Sequence, residues 1–264
     1  MGMLDQVKKI EKAKGSFTII YGGAGVGKTT MASTYPKPML YISLNDDGGM
    51  AVLEGVEGVD TLPHLVTDEG YYKKVTGAKR MIDKLNELLV ELYTTQHDYA
   101  TLVIDPFSFL ADEMEVFMKR ISNKKALNFD DRSSIQSAIH PIFERLRKLS
   151  HKMNVVCVCH DKVFESKDSL TDTSTLRVLP AFTQSTSNFL CKYADDIIYL
   201  TVRNQGEEGE VNYKRIGIVG CNPILGTKVR LPLGKSLDGI DLLDLSYEGL
   251  EKLKNEIAVG GEEK

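Results

Sequence analysis

Ten residues near the start of the chain, YGGAGVGKTT (21–30), combine the residue types that hold phosphate groups. Gly22, Gly27, Lys28 and Thr29 match the spacing G-x-x-x-x-G-K-[ST]. Glycines let backbone N–H groups surround a phosphate chain, the lysine reaches its outer phosphates, and the threonine hydroxyl binds Mg²⁺. A glycine-rich turn without a ligand is the alternative. The motif predicts a nucleotide-binding loop that contains Gly22, Gly23, Ala24, Gly25, Val26, Gly27, Lys28, Thr29 and Thr30.

A second candidate ligand for the metal ion, besides the threonine, is the aspartate that ends an apolar run. Asp105 closes TLVID (101–105), and a carboxylate at the end of a buried strand opposite such a loop can hold Mg²⁺ through water. The alternative is a residue that only forms a turn. Pro106 follows directly, so the chain has no acid next to Asp105 that could activate water. The pattern predicts that Thr29 and Asp105 bind the metal together.

These residues need strands and helices that bring them to one edge of a sheet. Short apolar runs predict four strands, at 16–21, 39–44, 99–105 and 154–159. Apolar residues at helical spacing predict helices from Lys28 onward and over 78–96, 108–122 and 133–152. Alternating strands and helices favour an α/β fold, with a mostly parallel sheet flanked by helices.

The C-terminal third has a different character. The polar stretch 161–177 lacks periodicity and predicts a long loop, of a kind that is usually functional in a compact domain. Strands at 196–203 and 211–219, joined by NQGEEGE, predict a β-hairpin, and 246–257 predicts a helix. No element is assigned to 54–70. The predicted organisation is an N-terminal segment (1–15), one main domain (16–245), and a C-terminal helix and tail (246–264).

Composition limits the classes of function. With 264 residues, of which 42% are hydrophobic, the chain can form one sizeable core. A net charge of −4 excludes coating of nucleic acid by overall charge, so any such contact needs a local basic cluster. The four cysteines, Cys157, Cys159, Cys191 and Cys221, form no CxxC pair, which favours core thiols over metal ligands. No apolar run has membrane-spanning length and the N-terminus lacks an apolar leader, so we expect a cytoplasmic protein without membrane contact.

Taken in order, the motifs resemble one family: RecA-like P-loop ATPases encoded by bacteriophages, AAA-domain nucleotide-binding proteins of the single-strand annealing recombinase type. The resemblance rests on GGAGVGKTT, YISLNDDGG, TLVIDPFSFL, VVCVCHDK, VLPAFTQSTSNFLCKYADDIIYL and GTKVR. It implies a P-loop NTPase with a RecA-like sheet, ATP and Mg²⁺ as cofactors, and DNA-stimulated ATP hydrolysis. It further implies action on single-stranded DNA in phage recombination, replication or repair. Self-assembly into a ring or filament, a single-strand DNA-binding protein as a partner, and the host cytoplasm as location also follow from it.

The resemblance also implies roles for residues near the phosphates. The family has a glutamate as catalytic acid at the end of the strand that follows the loop helix, whereas this chain has Asp46 or Asp47. We favour Asp47 because it immediately precedes the glycines, and an acidic turn is the alternative. His160 occupies the position of a residue that senses the γ-phosphate, and a simple strand cap is its alternative.

Further roles concern polymers and assembly. Lys162, Phe164, Lys167 and Arg177 fall where relatives grip single-stranded DNA, and cations with an aromatic ring suit phosphates and stacked bases. A solvated charged loop would look similar. Lys228 and Arg230, in GTKVR, resemble a K-x-R pair that reaches the nucleotide of a neighbouring subunit. The wet face of an edge strand is the alternative.

Two other functions remain open from the sequence. A P-loop kinase for a nucleotide or another small acceptor would share the loop, but the chain shows no clear arginine-rich lid. A nucleotide-switched adaptor or loader, which binds ATP and hardly hydrolyses it, would explain the absence of the glutamate.

Overall fold

A computed structural model describes residues 13–45, 49–62, 77–167, 174–206 and 212–259 of the chain. For 77–80, 166 and 167 it describes the backbone alone. Within these ranges the fold is α/β, a mostly parallel sheet with helices on both faces. The fold class expected from the sequence is confirmed.

Eight strands form the main sheet in the spatial order β10-β9-β8-β1-β5-β4-β2-β3. All are parallel to β1 except β9, which runs antiparallel to its neighbours β8 and β10. The strands are β1 Phe17–Gly22, β2 Met39–Ser43, β3 Val59–Thr61, β4 Thr101–Asp105, β5 Asn154–Cys159, β8 Asp196–Asn204, β9 Tyr213–Val219 and β10 Ile240–Leu242. A separate antiparallel pair is formed by β6 Asp161–Lys167 and β7 Ser174–Pro180.

The central strands are apolar on both faces because helices cover both. Every residue of β1, β4 and β5 is buried. Alternate residues point to opposite layers, so Phe17 and Ile19 belong to one apolar cluster and Ile20 to the other. This burial explains the uninterrupted apolar runs that predicted the strands.

Six α-helices flank the sheet within the described ranges: α1 Lys28–Ala32, α2 Gly77–Thr94, α3 Phe109–Ser122, α4 Phe129–Leu149, α5 Gln184–Tyr193 and α6 Tyr247–Val259. Leu85 of α2, Leu110 of α3, Ile139 of α4 and Leu190 of α5 lie in one apolar cluster. Met31 and Leu250, of α1 and α6, lie in the other. The chain therefore buries its single core as two layers, one on each face of the sheet.

The described residues of the segment 161–177, which are 161–167 and 174–177, form strands, so the expectation of a loop there is wrong. β6 and β7 pair antiparallel from Asp161–Pro180 to Lys167–Ser174 and form a two-stranded ribbon outside the main sheet. Because much of the ribbon is open to solvent, its sequence lacks the apolar alternation that marks a half-buried strand. The sequence also assigned no element to β3, α5 or β10.

The later hairpin is confirmed, since β8 and β9 pair antiparallel from Tyr199–Ile218 to Asn204–Tyr213. Cys157 and Cys159 are buried thiols, as expected, and burial raises the pKa of both well above the usual value. Cys191 is half-buried and Cys221 is exposed, so the core interpretation is wrong for Cys221. Within the described ranges, no three His, Cys, Asp or Glu side chains are grouped so as to hold a metal ion, and no helix is long and apolar enough to cross a bilayer.

Candidate functional site

The loop after β1 takes its shape from glycines at two strained positions. Gly22 has φ 151°, and a Cβ added there would lie 2.2 Å from the backbone oxygen of Leu200 in β8. Gly27 caps the N-terminus of α1 with φ 96°, in the left-handed region that side chains disfavour. The chain can therefore turn tightly from the sheet into α1 only with glycine at these two positions.

The lysine of the loop points inward. Lys28 is 8% exposed, and its Nζ donates hydrogen bonds to the backbone oxygens of Gly22 at 2.9 Å and Gly23 at 2.6 Å. Ala24 and Gly25, at the crest of the loop, are exposed. The ammonium thus lies against the backbone of the loop, where a bound phosphate chain would contact it.

The structure brings Thr29 and Asp105, the two predicted metal ligands, together. Thr29, at the start of α1, donates a hydrogen bond from Oγ1 to Oδ2 of Asp105 at 2.7 Å. Asp105 is 8% exposed at the end of β4, and it also accepts a hydrogen bond from the phenol of Tyr41. A hydroxyl and a carboxylate are the oxygen donors that suit Mg²⁺, so the residues present fit that ion.

The predicted catalytic acid, Asp47, and its alternative, Asp46, lie outside the described residues. The strand before them, β2, pairs its last residue, Ser43, with Asp105. The chain therefore leaves β2 beside the carboxylate of Asp105. The role of Asp47 stays a prediction.

His160 follows β5 directly beside the start of the loop, because Cys159 pairs with Tyr21. Its backbone N–H donates to Oγ of Ser108 at 3.1 Å, which joins the end of β5 to the segment after β4. Asp112 of α3 lies near the His160 ring. Burial and Glu115 raise the pKa of Asp112, while the charges of Lys162 and His160 oppose that rise.

The ribbon of β6 and β7 brings three of the four predicted DNA-contacting residues together. Phe164 pairs directly across the strands with Arg177, and Lys162 lies on the same face, with Nζ 5.8 Å from the centre of the Phe164 ring. Nε of Arg177 donates to the backbone oxygen of Pro223 at 3.0 Å. The backbone of Lys167 pairs with Ser174, and its side chain lies outside the described part. One face of the ribbon thus carries two cations and an aromatic ring.

Two tyrosines attach the base of this ribbon to the sheet. The phenol of Tyr21, the residue before the loop, donates to the backbone oxygens of Val178 at 3.2 Å and of Leu225. Tyr199 of β8 donates to Oδ2 of Asp161 at 3.4 Å, and the two tyrosine rings are 5.0 Å apart. The sequence did not indicate these contacts, because in it Tyr21 is only one residue of an apolar strand.

Lys228 and Arg230 are offset along the sheet from the start of the loop of their own chain. The backbone of Lys228 pairs with Ile197, whose partner in β1 is Ile19, three residues before Gly22. Burial and the neighbouring charge of Arg230 lower the pKa of Lys228. The guanidinium of Arg230 is 2.8 Å from a carboxylate oxygen of Asp195.

One further cation approaches the loop and was not predicted. A Cβ added to Gly27 would lie 3.6 Å from Cδ of Arg215, an exposed residue of β9. The sequence separates these residues widely. The pairing of β9 with β8, which itself lies beside β1, brings them together.

Comparisons with known proteins agree with this geometry. A protein-family model described as an AAA domain matches residues 14–228, which is most of the chain. A search of the curated proteins gave no match.

Solved structures resemble the chain only distantly. Flagellar accessory protein FlaH from Methanocaldococcus jannaschii is 14% identical, with a TM-score of 0.38, and the match covers 88% of this chain and 85% of that chain. A KaiC-like protein from Pyrococcus horikoshii is 12% identical, with a TM-score of 0.38 and coverage of 87% and 85%. A type III secretion ATPase from pathogenic bacteria is 13% identical, with a TM-score of 0.39 and coverage of 72% and 51%. At such scores these likenesses carry no argument about this chain.

Proposed function

The chain belongs to the AAA-domain family, and from this membership we propose that it binds ATP and Mg²⁺ at the 22–30 loop, hydrolyses the ATP, and acts on single-stranded DNA. One observation carries the proposal. Thr29 of the loop and Asp105 of β4, 76 residues apart in sequence, are joined by a hydrogen bond of 2.7 Å. A glycine-rich turn without a ligand would not need an acid from a different strand at this point.

Each residue of the site has a task in this reaction. The N–H groups of the loop bind the phosphates, and the ammonium of Lys28 turns from the oxygens of Gly22 and Gly23 to the outer phosphates. Thr29 and Asp105 would hold Mg²⁺, which would supply positive charge to neutralise the phosphates. Asp47 accepts a proton from the attacking water, and His160 passes the state of the γ-phosphate to β6.

The ribbon supports an action on single-stranded DNA. Lys162 and Arg177 can contact phosphates, and Phe164 between them offers a ring on which a base can stack. The role of Lys167, whose side chain lies outside the described part, stays a prediction. Because β6 begins directly after His160, the ribbon is also connected to the phosphate end of the site.

Assembly of several copies completes the proposal. The backbone of Lys228 lies level with Ile19 of its own chain rather than with Gly22, and this offset supports a role for Lys228 and Arg230 at a neighbour's nucleotide. In a ring or filament, hydrolysis would then depend on contact between subunits. A phage-encoded protein of this kind would act in the host cytoplasm during recombination, replication or repair, with a single-strand DNA-binding protein as a partner.

Phosphate release from ATP by the purified protein, with and without single-stranded DNA, tests the function. Lys28→Ala is the blank, because it removes the ammonium from the loop. We expect DNA to stimulate the wild-type protein severalfold. Phe164→Ala should remove most of that stimulation, whereas Val163→Ala is the matched control, since Val163 is an exposed residue on the other face of β6.

The results also separate the alternatives. Tight ATP binding with no phosphate release, whatever the polymer, would replace the proposal by the nucleotide-switched adaptor. Stimulation by a small acceptor instead of DNA would replace it by a kinase. Equal loss of stimulation in Phe164→Ala and Val163→Ala would refute the role of the Phe164 face.

A further inference from the structure

A buried tyrosine contacts the acid that is proposed to hold the metal. Tyr41 in β2 is 1% exposed, and its phenol donates a hydrogen bond to Oδ2 of Asp105. The neighbouring strands are in parallel register, with Tyr41 beside Val103 and Ser43 beside Asp105. Tyr41 and Asp105 therefore face the same side of the sheet, and the tyrosine ring reaches diagonally across to the carboxylate.

The same oxygen of Asp105 accepts from two donors with different duties. The hydroxyl of Thr29 also donates to Oδ2, and because a hydroxyl keeps two lone pairs while it donates, it can serve as a ligand for Mg²⁺ in the proposed site at the same time. Tyr41 is buried in one of the two apolar clusters, so its phenol keeps one position whether or not the metal is present.

The contact is more specific than a buried phenol requires. Tyr21, a buried tyrosine of β1, satisfies its phenol with backbone oxygens alone. Tyr41 instead bonds to the one carboxylate that ends β4 beside the loop. A hydrogen bond to an ionised carboxylate is stronger than one to a neutral oxygen, and it fixes the plane of the acid.

We propose that Tyr41 is a positioning residue: its hydroxyl holds Asp105 in the orientation that the water ligands of Mg²⁺ need. The inference rests on the proposed function, since it assumes that the loop binds Mg²⁺ with the nucleotide. Partners of this kind, one step behind a metal ligand, typically change metal affinity 10- to 100-fold. Because the carboxylate here acts through water, we expect a change at the lower end of that range.

The test is a Mg²⁺ titration of wild-type protein and Tyr41→Phe with a fluorescent ADP analogue. Removal of the hydroxyl should leave the affinity for the nucleotide in the absence of Mg²⁺ unchanged. It should raise the Mg²⁺ midpoint, which is the Mg²⁺ concentration that produces half of the change in nucleotide affinity, about tenfold. Tyr99→Phe is the matched control, because it also removes a phenol donor from a carboxylate, at 3.1 Å from Oδ2 of Asp60 on the surface. Its titration should match that of the wild-type protein.

A double-mutant cycle shows whether Tyr41 acts through Asp105. In an Asp105→Asn background, Tyr41→Phe should cause no further change in the Mg²⁺ midpoint. A midpoint for Tyr41→Phe within twofold of the wild-type value would overturn the proposal. So would a loss of nucleotide affinity of the same size with and without Mg²⁺, because a disturbed fold would produce that pattern.

A measurement on the wild-type protein keeps the proposal testable if Tyr41→Phe does not fold. When the tyrosines are labelled with ¹³C at the ring carbon that bears the hydroxyl, the NMR chemical shift of one tyrosine should change on addition of Mg²⁺ to the ADP complex. No change in any tyrosine signal would overturn the proposal. If the wild-type protein binds no nucleotide, or binds it without any effect of Mg²⁺, the proposed function fails instead.

Discussion

Lys254 holds the C-terminal helix to the sheet through a buried ion pair, and its removal should destabilise the protein strongly. Nζ of Lys254 in α6 is 2.6 Å from Oδ2 of Asp196, the first residue of β8. The side chain of Asp196 is fully buried, and that of Lys254 is 17% exposed. Lys254→Met roughly keeps the length of the side chain and removes the ammonium, and the carboxylate keeps the hydrogen bond from the backbone N–H of Arg230, at 3.2 Å.

The expected loss follows from the stranded charge. Removing one partner of a buried ion pair costs about 3–5 kcal/mol, and the partial exposure of Lys254 favours the lower end, about 3 kcal/mol. For a chain of this size, that corresponds to a fall in Tm of roughly 6–12 °C. Lys252→Met is the matched control on the same helix. Its Nζ is 4.0 Å from an oxygen of Glu256, both side chains are mostly exposed, and the expected loss is about 0.3 kcal/mol.

The loss should depend on pH in a definite direction. Burial raises the pKa of Asp196, although the charge of Lys254 works against that rise. The folded state therefore binds the proton more tightly than the unfolded state, and stability falls as pH rises from the usual range of an aspartate toward the higher folded value. Without Lys254 the folded pKa rises further. The difference between Lys254→Met and wild type should then be small in acid and largest at neutral pH.

Urea unfolding at several pH values measures these effects. Adding Asp196→Asn to Lys254→Met should recover a large part of the lost stability, because the double variant no longer buries an unpaired charge. A loss that does not change with pH would refute the reasoning. So would a double variant whose loss equals the sum of the two single losses.

Two further predictions concern the loop and the predicted trans-acting cation. Gly22→Ala should lower the free energy of unfolding in urea by about 3 kcal/mol or more, because the new Cβ would lie 2.2 Å from the backbone oxygen of Leu200. Gly25→Ala is the control, since a Cβ there meets no described atom within 4 Å. It should cost only the left-handed backbone strain of about 1–2 kcal/mol. Equal losses would contradict this account. Arg230→Ala should change Tm by no more than about 4 °C, because Arg230 is half-exposed and Arg147 still pairs with the carboxylate of Asp195. It should nevertheless lower the rate of phosphate release at least tenfold. An unchanged rate would contradict a role in trans.

The structure also shows why some positions could be predicted from the sequence. The loop and Asp105 are recognisable because local rules dictate them: glycines for a tight turn, and an acid at the end of an apolar strand. The strands themselves are recognisable because burial on both faces requires an uninterrupted apolar run, as in FTIIYG at 17–22.

Other positions depend on contacts between distant segments. The ribbon of β6 and β7 was missed because a strand pair in solvent needs no apolar alternation. Tyr41 looked like one more core residue of β2, and only the register with β4 gives its phenol a carboxylate. Arg215 reaches Gly27 only because β8 and β9 form a hairpin beside β1.

The sequence by itself therefore determined that this chain forms an α/β fold with a nucleotide-binding loop, and that an acid, Asp105, ends one of its buried strands. Those features arise from short-range sterics and from burial, which a run of ten residues already expresses. Only the tertiary structure decided what supports the aspartate, where the basic face of the ribbon lies, and which distant residues approach the loop, such as Arg215. The physical reason is that strand order and register set these contacts, and both emerge only when the whole core packs.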